Sequence, residues 1–440
     1  MQSIRYIIRL VGAYIKRFKL IILIAIFIGI GLFLLLTVIK PAFLFSTSQR
    51  IGYVGRYTFE DLPLSIQYLI SNGLTKVDET GEITPSLASG WETGDNGKTW
   101  TFKLRDDVVW QDGKKIDSDS INYSFSDVSV EKTDDSTIVF KLNSAYTPFP
   151  YVVSKPVFKK GLLGSGEWKV TKASLVGSFV QKLVLKDKKG NQKIYKFYPT
   201  EEKAKVAFKL GQIDLLEGII NVEPFDTWKT TEIQKQIDYQ SIIAVFFNVE
   251  DNFLSDKNLR QALAYAIDKN DISSIRAISP IPPKSWAYNP QVKLYSFSSE
   301  RAKELLDELD KEIRDKITIT LSSTPVLLPI AEKVVSYWKD VGINASVQIS
   351  PSIPSEYQAV IVIFQVPLDP DQYFMWHSTQ LSTNISKYRN LRIDKLLEDG
   401  RQQLNQEERK KTYWDFQRFL VEDSPAVFLS HPDFYSIKRK

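Results

Sequence analysis

The sequence predicts an α/β protein of more than one lobe, preceded by a single helix of membrane-spanning length. Three observations carry that prediction: strand, helix and strand patterns succeed one another between Ile317 and Phe364, strands and turns fill Gly73 to about Lys160, and no charge interrupts Leu20 to Ile39. At 440 residues the chain is too long for one ordinary core, so two or three lobes are expected. Hydrophobic residues at 43% and aromatics at 12% exclude disorder for most of it.

The apolar run comes first. Leu20 to Ile39 is 20 residues long, and at about 1.5 Å per residue it reaches roughly 30 Å, the thickness of a bilayer core. Arg5, Arg9, Lys16, Arg17 and Lys19 precede it without an acid and only Lys40 follows at once. Residues 1–19 are therefore expected to be a cytoplasmic basic tail, 20–39 a transmembrane helix and 40–50 a linker to an extracytoplasmic body. A cleaved signal peptide with its site at Ser46-Thr47-Ser48 is the alternative, but its apolar core normally spans about 7 to 15 residues. A buried core helix is the third reading.

Charge and cysteine content exclude several function classes. The chain has 57 basic and 52 acidic residues, and with the five cations of residues 1–19 set aside the remainder has 57 − 5 = 52 basic against 52 acidic. That balance removes the main support for nucleic-acid binding, which needs a clustered basic surface. The absence of cysteine removes disulfides, thiolate metal sites, cysteine nucleophiles and a lipid-attachment cysteine together. Any tether must then be the helix.

Along the outer part, Ile51 to Val54 reads as a strand and Ser65 to Asn72 as a short helix leading to Gly73. Gly94-Asp95-Asn96-Gly97 is a turn, after which Trp100, Phe102 and Leu104 alternate with polar residues as in a half-buried strand. A second turn at Asp112-Gly113 leads to Asp117-Ser118-Asp119-Ser120, a helix-start signal before Ile121, Tyr123 and Phe125. Ser136 to Leu142 alternates again. Glu201 to Leu210 is a helix ended by Gly211, and Ile242 to Asn248 is a continuous apolar run suited to a strand buried on both faces. Asp256 caps a helix with Leu259, Leu263, Ala266 and Ile267 on one side, and Ser298-Ser299-Glu300 starts another. Ile317 to Leu321 is a strand, Pro329 opens a helix that Gly342 stops, and Ile343 to Ile349 and Tyr357 to Phe364 are strands. This βαβ spacing predicts a parallel sheet. Asn405 with Glu408 starts a last long helix through Phe416 and Leu420.

Catalytic chemistry has no positive signal. Gly94 to Thr99 superficially matches a phosphate loop, but position 92 is Glu92 where a glycine is required and a strand follows where a helix is needed. His377 and His431 are the only histidines and form no H-E-x-x-H pair, so no metal ligand set and no cofactor are expected. No Gly-x-Ser-x-Gly elbow or matching triad is present. The pairs Asp106-Asp107 and Asp134-Asp135 sit in turn-like contexts.

Residues 82–125, with Pro85-Ser86-Leu87-Ala88, Trp91, Asp95-Asn96-Gly97-Lys98-Thr99-Trp100-Thr101-Phe102-Lys103-Leu104-Arg105 and Trp110-Gln111-Asp112-Gly113, resemble the family 5 extracellular solute-binding proteins, receptors of peptide and nickel ABC importers. Leu259 to Lys269, an arginine-led, alanine-rich stretch ending in Ile-Asp-Lys, resembles the family's second signature. Looser echoes at Gly164 to Trp168, Leu210 to Asp214, Val341 to Ile343 and Asp369 through Pro425 extend the likeness over nearly all of residues 50–440.

The resemblance implies a two-lobed periplasmic-binding-protein-like fold (type II, cluster C) with an inserted β-rich subdomain, and no enzymatic activity. Lobe I would comprise 51–75, 165–250 and 421–440, the inserted subdomain 76–164 and lobe II 251–420. It further implies capture of a peptide-like solute by lobe closure, delivery to an ABC permease, a monomer held to the membrane by its N-terminal helix, and no nucleic-acid partner. Cleft candidates by position are Tyr57, Phe59, Phe246, Asn248, Trp286, Tyr288, Tyr373, Trp376 and His377, with core packing an open reading for Phe246 and Tyr373. Many peptide receptors pair an aspartate with the peptide amine just before this region. Here Val366-Pro367-Leu368 occupies that neighbourhood, so Asp369 or Asp371 would have to substitute. An anchored sensor that kept the fold and lost the cleft is the alternative function.

Overall fold

The computed structural model describes residues 2–34, 47–273 and 275–440. Its first element is a helix, Gln2–Leu34, with a non-helical break at Phe18. The part long and apolar enough to cross a membrane is Lys16–Leu34, none of it buried against protein. Residues 35–39 of the expected span and 40–46 of the expected linker lie outside the described residues. By compactness the chain divides into two units, one of residues 1–56 and 167–215 and one of residues 57–166 and 216–440. The expected insert and second lobe thus fall in one compact unit.

The first unit holds four strands, β1 (Ser48–Val54), β2 (Lys169–Val176), β3 (Phe179–Lys186) and β4 (Gln192–Tyr198). β1 runs parallel to β4, β4 antiparallel to β3, and β3 antiparallel to β2. One face of this sheet is apolar, with Ile51, Leu183, Leu185, Tyr195 and Phe197 buried. The helix Glu201–Lys209 supplies Ala204, Ala207 and Phe208 to the same core, capped by the Thr200 hydroxyl and ended where Gly211 takes a φ of 70°. Arg50 donates from Nε to Asp214 Oδ2 at 2.8 Å and from Nη1 to the Gly211 carbonyl at 2.8 Å.

In the second unit, residues 74–157 form a small β-rich body around Trp100, Phe102, Trp110, Phe140 and Phe149. The strands Ala88–Thr93, Thr99–Leu104, Thr137–Leu142 and Val128–Asp134 are neighbours in that order. The turn between the first two has Asn96 and Gly97 at φ 53° and 90°, as the hairpin reading requires. The helix expected after Ser120 is a single 3₁₀ turn, Ser118–Ser120, with a complete capping box on Asp117. The reason is periodicity: Ile121, Tyr123 and Phe125 recur every second residue, an extended pattern that inserts Ile121 into this core and stacks Tyr123 on Phe125 at 5.7 Å.

The Gly164-Ser165-Gly166 echo also has a packing cause. A Cβ on Gly164 would lie 2.1 Å from the Ile70 carbonyl oxygen, and one on Gly166 2.5 Å from that of Leu69. Only glycine lets this loop press against the end of the helix Leu64–Ile70.

The larger body is a five-stranded sheet covered by helices. Its strands are Ser241–Phe247, Thr318–Ser323, Asn344–Ile349, Ala359–Gln365 and Ala426–Ser430. The 318–323 strand is parallel to both 344–349 and 359–365, as the βαβ spacing predicts. The sheet is nevertheless mixed, because 241–247 runs antiparallel to its neighbours 359–365 and 426–430. A run buried on both faces records burial and leaves direction open. All seven residues of 241–247 are buried. The helices Lys257–Ala266, Ser299–Asp307, Leu328–Asp340 and Gln406–Asp423 start where expected, with Asp256, Ser298 and Asn405 accepting from Leu259, Arg301 and Glu408 amides. Lys269, which closes the Ile-Asp-Lys stretch, is buried and donates to the Ala264, Ile267 and Tyr295 carbonyls at 2.6, 3.2 and 2.8 Å.

Candidate functional site

Within the second unit the β-rich body meets the larger body at a narrow crossing. The Trp286 amide donates to the Thr80 carbonyl at 3.1 Å, and Gly81, at φ +87°, approaches Leu368 so closely that a Cβ would lie 2.5 Å from its carbonyl oxygen. Cavities open on either side. One, of about 220 Å³, is lined by Glu79, Asp238, Tyr239, Gln240, Lys284 and Ser285 among others. The other, of about 390 Å³, is walled by Trp91, Trp100, Thr147, Trp286, Asp369 and Arg409 among others.

The smaller cavity carries both charge signs. Lys284 pairs with Glu79 at 2.6 Å and sits over the Tyr239 ring at 5.4 Å. Asp238 Oδ1 accepts from the Gln240 amide at 2.9 Å, and Oδ2 from the Ser241 hydroxyl at 2.6 Å, which fixes that wall at the root of the buried strand. In the larger cavity the Thr147 hydroxyl oxygen is buried and has no hydrogen-bond partner among the described residues. Tryptophan faces with a few polar side chains among them are the composition of clefts that hold small ligands.

Two ion pairs back this wall. Arg409 grips Asp369 with both terminal nitrogens, at 2.8 and 2.6 Å, and donates from Nε to the Gly400 carbonyl at 2.7 Å. Both partners are buried, at 6% and 4% side-chain exposure, and the guanidinium lies 5.4 Å from the Trp286 ring centre. Arg401 donates from Nε to both Asp371 oxygens at 3.1 and 2.9 Å and lies flat against Tyr373 at 3.8 Å. The Tyr146 hydroxyl donates to the same carboxylate at 3.2 Å, and the Thr147 amide to the Arg401 carbonyl at 2.7 Å. Burial lifts the Asp371 carboxyl above its ordinary range, against the pull of Arg401.

Of the residues proposed from sequence, Trp286 and Asp369 reach a cavity wall. Asp369 and Asp371 are each held by an arginine of the chain itself. Phe246 and Trp376 are fully buried and stack at 5.5 Å in the core beneath. His377 stacks on Tyr373 at 3.9 Å with its Nδ1 on the Thr379 hydroxyl at 2.8 Å, beside rather than within the cavities. The Asn248 amide group donates to the Tyr357 carbonyl at 3.0 Å and closes a turn with Glu250. Tyr288 is half-buried against the larger core, and Tyr57 and Phe59 are half-buried on the segment after β1; none of the three lines either cavity.

Sequence reasoning did not name Glu79, Asp238, Tyr239, Lys284, Trp91, Thr147 or Arg409 for the site. Trp91 and Trp100 were visible as motif residues, and their strand positions gave the signal. The others depend on chain segments more than a hundred residues apart.

Residues 82–384 match the family model for bacterial extracellular solute-binding proteins, family 5 middle. The chain belongs to that family. Such proteins are the solute-binding components of ABC importers for peptides and nickel, and they are not enzymes. Among curated relatives, the chain is 25% identical to the oligopeptide-binding protein AppA of Bacillus subtilis, over 86% of this chain and 83% of that protein. It is 23% identical to the dipeptide-binding protein of Escherichia coli, over 82% and 83%. Among solved structures, NikZ from Campylobacter jejuni in complex with Ni(L-His) superposes with a TM-score of 0.73 at 24% identity, covering 89% of this chain and 94% of that one. This family 5 protein therefore has the periplasmic-binding-protein architecture expected of it.

Proposed function

We propose that this solute-binding protein captures a short peptide-like solute between the β-rich body and the wall formed by residues 238–240, 284–286 and 368–409, and delivers it to an ABC permease. The observation that carries the reading is the larger cavity, walled by Trp91, Trp100 and Trp286 together with Thr147, Glu82, Asp369 and Arg409. Amide-rich ligands present donors, acceptors and apolar stems together, and such a wall meets all three. Because Asp369, Asp371 and Glu79 are already paired with Arg409, Arg401 and Lys284, recognition of a ligand amine falls to Asp238 or Glu82. Closure of the walls around the solute needs only differential contacts in the closed state, with no covalent step.

The Lys16–Leu34 helix, with the basic residues before it, supports a retained single-pass anchor that keeps the body outside the cell beside its permease. The second reading, an anchored sensor, draws on the Thr80–Trp286, Tyr146–Asp371 and Thr147–Arg401 contacts that already join the two walls.

Thermal unfolding of the full-length chain in detergent separates the two. A pool of di- to oligopeptides at about 100 times Kd stabilises a receptor by about 2.7 kcal/mol, and Trp286→Ala abolishes the shift. No shift with peptides, nickel complexes or sugars would leave the sensor.

A further inference from the structure

We infer that the outward face of the first unit's sheet, with its β2–β3 hairpin tip, docks on the anionic headgroup surface of the membrane that the N-terminal helix enters. The inference rests on the reading of Lys16–Leu34 as a retained anchor.

The neutral sum of the outer chain conceals a division. Residues 47–56 and 167–215 hold 13 basic residues (Arg50, Arg56 and 11 lysines) against 5 acidic, a net +8, while residues 57–166 and 216–440 hold 38 basic against 47 acidic. The excess is concentrated by register. Directly opposed residues of antiparallel strands share a face, and Lys182 opposes Lys196 while Lys186 opposes Lys169. Lys172, opposite Val184, lies on the same side. Among the described residues none of these five lysines has a carboxylate within 4.0 Å in an ion pair, whereas Lys205, on the helix across the sheet, is paired with Glu201 at 2.9 Å. Like charges placed directly across a ladder work against the sheet. A face that accumulates them is matched to an external anion surface, and here the reach is short: thirteen residues separate Leu34 from Ser48, at most about 47 Å of extended chain.

The hairpin tip adds an apolar element. Leu175, Val176 and Phe179 are exposed at 46%, 58% and 40% around Gly177, and Arg56 lies over the Phe179 ring at 5.8 Å. Exposed apolar side chains flanked by lysines are the composition of interfacial membrane binding, in which the apolar tip enters the headgroup boundary and the cations contact lipid phosphates. Docking would hold the first unit against the bilayer.

The absence of native cysteine gives a direct test. Val176→Cys in the full-length chain, labelled with an environment-sensitive nitrobenzoxadiazole dye, is reconstituted in phosphatidylcholine vesicles with or without phosphatidylglycerol. The expected result is a several-fold rise and blue shift of emission with the anionic lipid, reversed by high salt and by Lys169→Glu, Lys172→Glu, Lys182→Glu and Lys186→Glu together. Emission that is equal in both lipids and insensitive to salt overturns the docking, whether or not the charge variant folds. Alkaline carbonate extraction followed by flotation reads the anchor separately: a chain stripped from vesicles overturns the anchor reading, while the lipid dependence of the label still decides the docking.

Discussion

Removing the Arg409 guanidinium gives the sharpest test of the energetics behind the candidate site. In Arg409→Met the stem length is kept while Asp369 loses both of its charged donors at 2.8 and 2.6 Å and the Gly400 carbonyl loses its 2.7 Å partner. Unit charges about 4 Å apart interact by roughly 4 kcal/mol at an effective dielectric of about 20. Breaking a buried pair typically costs about 3–5 kcal/mol, because the orphaned charge stays buried. Asp369→Asn alone should cost less, since Arg409 keeps the Gly400 carbonyl and one amide oxygen. The double variant removes both charges and should fall well short of the sum, leaving a coupling of about 2 kcal/mol or more. Urea unfolding of the full-length chain in detergent, followed by tryptophan fluorescence, measures all four corners of the cycle. A loss below about 1 kcal/mol for Arg409→Met, or strict additivity, would refute the claim that this pair is desolvated and interdependent.

Three further outcomes are expected. Gly81→Ala forces a side chain into a left-handed backbone and against the Leu368 carbonyl at 2.5 Å, so it should cost about 1–3 kcal/mol in the same urea assay and weaken any ligand-induced thermal shift. Lys269→Met leaves the Ala264, Ile267 and Tyr295 carbonyls without their buried donor and should cost at least about 2 kcal/mol by urea unfolding. His431, whose Nδ1 meets the Ser241 carbonyl at 2.9 Å, is held by burial below its ordinary value of 6.5. The unfolded chain therefore binds the proton more readily, so this group's stabilising contribution is present above pH 6.5 and is lost as pH falls. The slope from this group reaches at most about 1.4 kcal/mol per pH unit, and His431→Gln should remove that component from a pH series of thermal melts.

Much of the fold was legible because local patterns encode local structure. The caps Asp256, Ser298 and Asn405, the stops Gly211 and Gly342, and the alternation around Trp100 each fix an element within a few residues of itself. The failures share a cause too. Ile121, Tyr123 and Phe125 carried an extended period that the preceding cap signal outweighed, and the apolar strand 241–247 gave burial without direction. The site was legible only in part. Trp286 was found from its place after a proline cluster, whereas the Asp369–Arg409 and Asp371–Arg401 pairs join residues 40 and 30 positions apart and no local pattern announces them. Phe246 and Trp376 illustrate the opposite limit, since an aromatic beside a cleft and an aromatic beneath it look alike in sequence. Summed charge misled in the same manner, because opposite excesses in two units cancel.

The central strand Ser241–Phe247 has a neighbour on each side and no exposed residue. Asp238, Tyr239 and Gln240 lead directly into its first residue, so the floor of the smaller cavity is fixed to a fully buried rail. A guest pressing on Tyr239 finds no slack behind it. On the proposed reading, any widening of this cavity has to come from across the gap, by release of the Glu79–Lys284 and Thr80–Trp286 contacts.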